Sequence, residues 1–117
     1  MKNILFLFVF LWASLPLKAA SVAGDTIADE VLIYDTLPML YATVLIAAQQ
    51  SECRDFDILN TEFIHHNLNL QNNKYIGEWH EKWTVKACGD NYLVPITFIQ
   101  NQTGTTFMFS PKDVIKQ

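Results

Sequence analysis

From Glu78 to Phe109 the apolar side chains recur at every second position. Trp79, Trp83, Val85 and Ala87 fall on one parity, and His80, Lys82, Thr84, Lys86 and Cys88 on the other. Successive side chains of an extended chain point to opposite faces, so this pattern reads as a half-buried strand of an antiparallel sheet. "CGDN", Cys88 to Asn91, reads as a tight turn with Gly89-Asp90 as its central pair. In "YLVPITFIQ" Tyr92, Val94, Ile96 and Phe98 share a face, while Pro95 removes a ladder donor and marks the strand as bulged or edge-facing there. "NQTG", Asn101 to Gly104, is a second hairpin loop, and Phe107 and Phe109 share a face beyond it. Three strands joined by two short turns make a meander.

Upstream the period changes. "RDFDILNTEFIHHNLNL" switches parity between Ile58 and Leu59, which predicts a bulge or two short strands, and Gln71–Gly77 reads as a loop. Before Cys53, Leu37, Leu40, Tyr41, Val44, Leu45 and Ala48 follow helical spacing, with Met39, Ile46 and Ala47 broadening the stripe. Thr36 is the expected N-cap, Pro38 sits in the first turn, and the helix is expected to end near Gln50–Glu52. So apolar a helix is expected to lie buried against the sheet, with a partner-facing role as the alternative. It carries no Lys or Arg, which argues against a membrane-lying helix. Val31–Asp35 is either a short strand or the approach to the helix. The expected fold is α+β: one N-terminal helix packed on a small antiparallel meander of about four strands. Too few strands are visible for the alternative, an all-β sandwich.

The first residues belong to a different class of segment. Met1-Lys2 supplies a positive start, "ILFLFVFLWA" an uncharged apolar run from Ile4 to Ala13, and "SLPLKAA" a tail of small and polar residues. That is the three-part build of a cleavable signal peptide, and the run is shorter than the roughly 20 apolar residues a membrane span needs. Cleavage after Ala19 places Leu17 and Ala19 at the recognition positions; cleavage after Ala23 places Ser21 and Ala23 there. The expected organisation is a signal peptide at 1–20, a flexible lead at 21–35, a single domain at 36–112 and a tail at 113–117. Without residues 1–20 the chain holds six Lys and Arg against twelve Asp and Glu, a net charge of −6. With no basic run, it is a poor match for nucleic acid or anionic lipid.

Cys53 and Cys88 are the two cysteines, and in a small exported chain such a pair reads as one disulfide. The rival, a free catalytic thiol, needs a base and a positive surrounding that the local sequence does not supply. No Gly-x-Ser-x-Gly elbow, Cys-x-x-Cys pair or glycine-rich phosphate loop is present. His65, His66 and His80 are the histidines; one of the adjacent pair can meet His80 across a ladder, with Glu78 or Glu62 nearby, as a weak metal site. Exposed strand histidines are far commoner, so no metal and no cofactor are expected. Glu81 breaks the alternation, falling on the tryptophan parity. It is expected either to be turned outward by a bulge, to pair with Lys82, Lys86 or Arg54, or to stand as a catalytic carboxylate.

The pieces Trp79, Glu81, Trp83-Thr84-Val85, Cys88-Gly89, Val94-Pro95-Ile96-Thr97-Phe98 and Gly104-Thr105, with Cys53 upstream, resemble a family of small exported proteins of Gram-negative bacteria. The likeness covers about a third of the chain. It implies export and a shared fold and brings no reaction with it. It also recasts Trp79, Glu81 and Trp83 as a packing device or contact surface. The resulting expectation is a non-catalytic periplasmic or secreted protein that binds another cell-envelope or secretion-system protein. Its contact surfaces would be the tryptophan strand and the apolar helix. The alternatives are a small metal-binding protein or enzyme using Glu81 and the histidines, or a secreted toxin or inhibitor.

Overall fold

A computed structural model describes residues 23–117. The expected signal peptide at 1–20 lies outside the described residues. The elements run α1 (Glu30–Ala48), β1 (Asp57–Gln71), β2 (Lys74–Ala87), β3 (Asp90–Asn101), β4 (Gly104–Met108), a 3-10 turn (Pro111–Asp113) and β5 (Ile115–Lys116). The sheet is antiparallel in the order β1-β2-β3-β4, with β5 pairing the far end of β3. One helix followed by a meander is the α+β arrangement that the alternation implies.

The face that the alternation selects is the buried one. Trp79, Trp83, Val85 and Ala87 of β2 and Tyr92, Val94, Ile96 and Phe98 of β3 form one core with Ile33, Leu40 and Val44 of α1. Phe98 stacks on Trp79 at 4.9 Å between ring centres and lies 5.9 Å from Trp83. Offset-stacked aromatic packing such as that of Trp79 and Phe98 adds to the burial of area itself. β2 and β3 pair without a slip from Gly77–Gln100 to Ala87–Asp90, so Pro95 causes no bulge. Instead it lies in the stretch of β3 between the residues that pair β4 (from Thr97) and those that pair β5 (up to Leu93), where its missing N–H breaks no ladder.

β1 is one long strand with two bulges. Its register against β2 slips between Ile58 and Asn60, as the parity switch implies, and again between Phe63 and His65. The extra residues, Leu59 and Ile64, are both exposed. The second slip moves the core-side parity from Thr61 and Phe63, opposite Trp83 and Glu81, to His66 and Leu68, opposite Trp79 and Gly77.

Several expectations are corrected. The loop expected at Gln71–Gly77 is only a two-residue turn: Asn72 and Asn73 both have positive φ, 52° and 65°, and Lys74–Gly77 already belong to β2. Asparagine tolerates that conformation, and the twist of such a turn matches the strands it joins. The central pair of the next turn is Cys88-Gly89, not Gly89-Asp90, with φ of 51° and 83°. The residues 113–117 are not a free tail, since Lys116 and Ile115 pair with Tyr92 and Leu93.

α1 also starts earlier than its spacing implies. Asp29 is the N-cap, its Oδ1 accepting from Leu32 N at 2.9 Å. Thr36 sits mid-helix, buried, and its hydroxyl donates back to Leu32 O at 2.7 Å. Pro38 therefore lies inside the helix, on its exposed side, where the carbonyl it strands can meet water. Gln49 ends the helix in the left-handed conformation, with Gln50 N bonded to Leu45 O. The lead expected to be flexible at 21–35 is, over its described part, held to the sheet and then helical from Glu30.

Candidate functional site

Glu81 lies on the covered face of β2 between Trp79 and Trp83, and period two directs all three side chains the same way. Both indoles turn their N–H toward it. Trp79 Nε1 donates to Oε2 and Trp83 Nε1 to Oε1, each at 2.8 Å. The segment preceding α1 supplies two more donors: Thr26 Oγ1 to Oε1 at 2.7 Å and Ile27 N to Oε2 at 3.1 Å. Four donors on two oxygens saturate an acceptor-only carboxylate inside the core. Neither expected escape for Glu81 occurs: β2 does not bulge there, and Lys82 and Lys86 are exposed on the opposite parity.

Trp79, Glu81 and Trp83 are 3%, 1% and 0% exposed. The interaction surface expected from them is thus an interior junction, because α1 and the segment 23–28 lie across it. The same geometry leaves Glu81 no free oxygen for acid-base work. Its spacing two residues from each tryptophan was the legible signal for this clamp. Thr26 and Ile27 had no such signal.

A second junction surrounds the disulfide. Cys53 and Cys88 are bonded, with Cα atoms 5.0 Å apart, which joins the end of the helical segment to the β2–β3 turn. Tyr41 of α1 reaches the same point: its hydroxyl accepts from Cys53 N at 2.9 Å and donates to Cys53 O at 3.1 Å. Asp55, which sequence reasoning passed over, accepts from Cys88 N at 2.6 Å and Gly89 N at 2.7 Å. The Gly89 N–H foremost holds its carboxyl below the ordinary aspartate range; desolvation opposes it as the next-largest effect, and the N–H groups of Cys88 and Asp55 and the charge of Lys86 add to the lowering. Among the described residues, Cys53, Asp55 and Cys88 are the one group with metal-ligand spacing, and both sulfurs are committed to each other.

Two of the three histidines, His65 and His80, lie on the uncovered face. His65 pairs directly with His80, their ring centres 4.3 Å apart. His80 Nε2 meets Glu78 Oε1 at 3.1 Å, and its Nδ1 meets Thr97 Oγ1 at 3.1 Å, so both ring nitrogens are engaged. His66 points to the other face and accepts from Leu68 N. An open groove of about 510 Å³ runs over His65, His80, Lys82, Pro95, Thr97 and Met108. Among the described residues, no polar group aimed into it is both buried and unpartnered.

The outward side of α1 is the prominent surface. Val31, Tyr34, Met39 and Ile46 are 68%, 45%, 57% and 64% exposed. With Pro38 and Ala42 they fall within an arc of about 140° at helical spacing. The opposite side buries Ile33, Thr36, Leu40, Thr43 and Val44 on the sheet. By length and composition α1 is apolar enough to cross a bilayer. The one charged residue within the outward arc is Asp35, and Asp29 and Glu30 flank its start. These exposed apolar residues are gathered in one stripe rather than scattered singly.

Compared with known proteins, the chain matches no family model, no curated protein and no solved structure.

Proposed function

We propose that this is an exported, non-catalytic binding protein that docks another cell-envelope protein through the outward stripe of α1. The observation that carries the reading is the exposure of Val31, Tyr34, Met39 and Ile46 along one side of a helix whose other side is fixed to the sheet. Export is supported by the disulfide, which persists in oxidising compartments, and by the build of residues 1–20. The non-catalytic reading is supported by the saturation of Glu81 and by the engagement of both His80 nitrogens. The acids at one end of the stripe, and the absence of any Lys or Arg on α1, favour a partner surface that is apolar with a basic margin.

The test is photocrosslinking in the living cell from probes placed at Met39 and Ile46, with a probe at Thr106 on the other face of the sheet as control. The proposal expects one discrete adduct from both helix positions, absent from Thr106 and lost when Tyr34→Glu is added. Adducts of equal yield from all three positions, or none from the helix, refute it. Tryptophan fluorescence of each variant reports that the clamp under α1 is intact.

A further inference from the structure

The sequence leaves two places for removal of the leader, after Ala19 and after Ala23, and they differ in the fate of Ala23. The fold uses that residue. Ala23 O accepts from Thr61 N at 2.9 Å and from Thr61 Oγ1 at 3.2 Å. Asp25 N donates back to Thr61 O at 3.0 Å, so Gly24 forms a parallel bridge on the open edge of β1. Gly24 has φ of +99°, and a Cβ there would run into Thr61 O, so the close approach requires glycine. Thr61 itself is 1% exposed and lies opposite Trp83. Two residues further on, Thr26 and Ile27 enter the clamp on Glu81. Residues 23–27 are thus a strap, fixed at Thr61 and again at Glu81, which delivers Asp29 to cap α1.

A cut after Ala23 carries its carbonyl away with the leader. Thr61 then keeps a buried N–H and a buried hydroxyl with no acceptor, and the strap begins at a charged ammonium on Gly24. Each stranded buried donor is the kind of group native structures avoid. A cut after Ala19 leaves Ala20-Ser21-Val22 ahead of Ala23 and disturbs none of these bonds.

We infer that the leader is removed N-terminal to Ala23, by hydrolysis of the Ala19–Ala20 peptide bond, so that the mature chain's own first residues finish the β1 edge. Water is the only co-reactant: it leaves a carboxylate on Ala19 and an ammonium on Ala20. The inference rests on the export reading above and adds that the segment after the leader is part of the fold. It explains the motif that sequence alone left without a task, since the Trp79–Glu81–Trp83 clamp is the inner anchor of this strap.

The experiment is the intact mass of the full-length precursor expressed in a Gram-negative host and recovered from the periplasm, for the natural chain and for Ala23→Gln. The Ala23 side chain is exposed, so this variant keeps the carbonyl and the fold, but it removes the small residue a cut at Ala23 needs. The expected result is a mature chain beginning at Ala20 in both, with equal yield. A chain beginning at Gly24, or accumulation of the Ala23→Gln precursor, overturns the inference while leaving export intact. A precursor that keeps residues 1–20 throughout overturns the inference and the export reading together.

Discussion

Glu81→Gln separates a structural clamp from an incidental buried acid. The size of its effect follows from which donors can reverse. On the Oε2 side, Ile27 N and Trp79 Nε1 can only donate. On the Oε1 side, Trp83 Nε1 can only donate, while the Thr26 hydroxyl can turn and accept. Glutamine therefore keeps its amide oxygen toward Ile27 and Trp79 and presents its NH₂ to Thr26 and Trp83. Thr26 adapts, and the Trp83 indole N–H is stranded against another donor. One stranded buried N–H costs about 1–3 kcal/mol, and the two retained bonds lose charge assistance worth about 1 kcal/mol together. The sum, about 2–4 kcal/mol, amounts to a fall of roughly 10 °C or more in Tm for a domain of this size.

Urea unfolding followed by tryptophan fluorescence measures this loss, with circular dichroism confirming that the variant folds. The decisive control repeats Glu81→Gln in a Trp83→Phe background. There the stranded N–H no longer exists, so the penalty of the glutamine falls by about 1–3 kcal/mol, a coupling well outside additive error. A Glu81→Gln variant within about 0.5 kcal/mol of the natural chain, or one whose cost is unchanged by Trp83→Phe, would refute the clamp.

Other perturbations address the remaining junctions. Replacing Cys53 and Cys88 together by alanine removes closure of a loop of 35 positions, expected to cost about 3–4 kcal/mol by loop-closure entropy; the unfolding midpoint with and without reductant checks it. Gly24→Ala forces a Cβ against Thr61 O and is expected to cost about 1–3 kcal/mol, with faster amide exchange at Asp25 and Thr61. Gly77→Ala, at φ of +134° and facing Asn67 O, is expected to loosen the β1–β2 hairpin at its far end while leaving tryptophan emission unchanged. Asp55 titrates below its ordinary range in the fold, so the stability it lends is present above about pH 3.9, its unfolded value, and is lost as pH falls through the lower folded value. Amide shifts of Cys88 and Gly89 should report that loss, and Asp55→Asn should abolish the acid transition at those two positions.

The parts of the fold legible in the sequence are those decided between near neighbours. The parity of Trp79, Trp83, Val85 and Ala87 is a statement about adjacent residues, and the sheet obeys it. The slip at Leu59 is visible for the same reason. Where the reading departed from the structure, two local solutions were open and a distant contact chose. Thr36 and Asp29 can both cap a helix. Asp29 does so because the strap, pinned at Thr61 and Glu81, brings the chain to the sheet seven residues before Thr36. Cys88 would ordinarily avoid a positive φ. It adopts one because the bond to Cys53 and the two hydrogen bonds that Asp55 accepts from Cys88 N and Gly89 N, all from more than thirty residues away, hold the turn in that form.

The same distinction explains the fate of the tryptophan strand as a candidate site. A Trp-x-Glu-x-Trp face looks like a contact surface as long as nothing is known to cover it, and it is one: its partner is Thr26 and Ile27 of the same chain, 55 and 54 positions from Glu81. A carboxylate that saturates itself with two indoles and two strap donors has no capacity left for a ligand, so the aromatic wealth of β2 is spent on holding α1 in place. Holding α1 in place is what allows its outward side to be apolar. An unanchored helix with Val31, Met39 and Ile46 exposed would turn them inward or collapse onto another chain, whereas one held by the strap on Glu81, by Tyr41 and by the disulfide presents them. If the stripe docks a partner as proposed, Glu81→Gln should lower the crosslinking yield from probes at Met39 and Ile46 as well as the unfolding midpoint, and an unchanged yield in a destabilised variant would separate the clamp from the stripe.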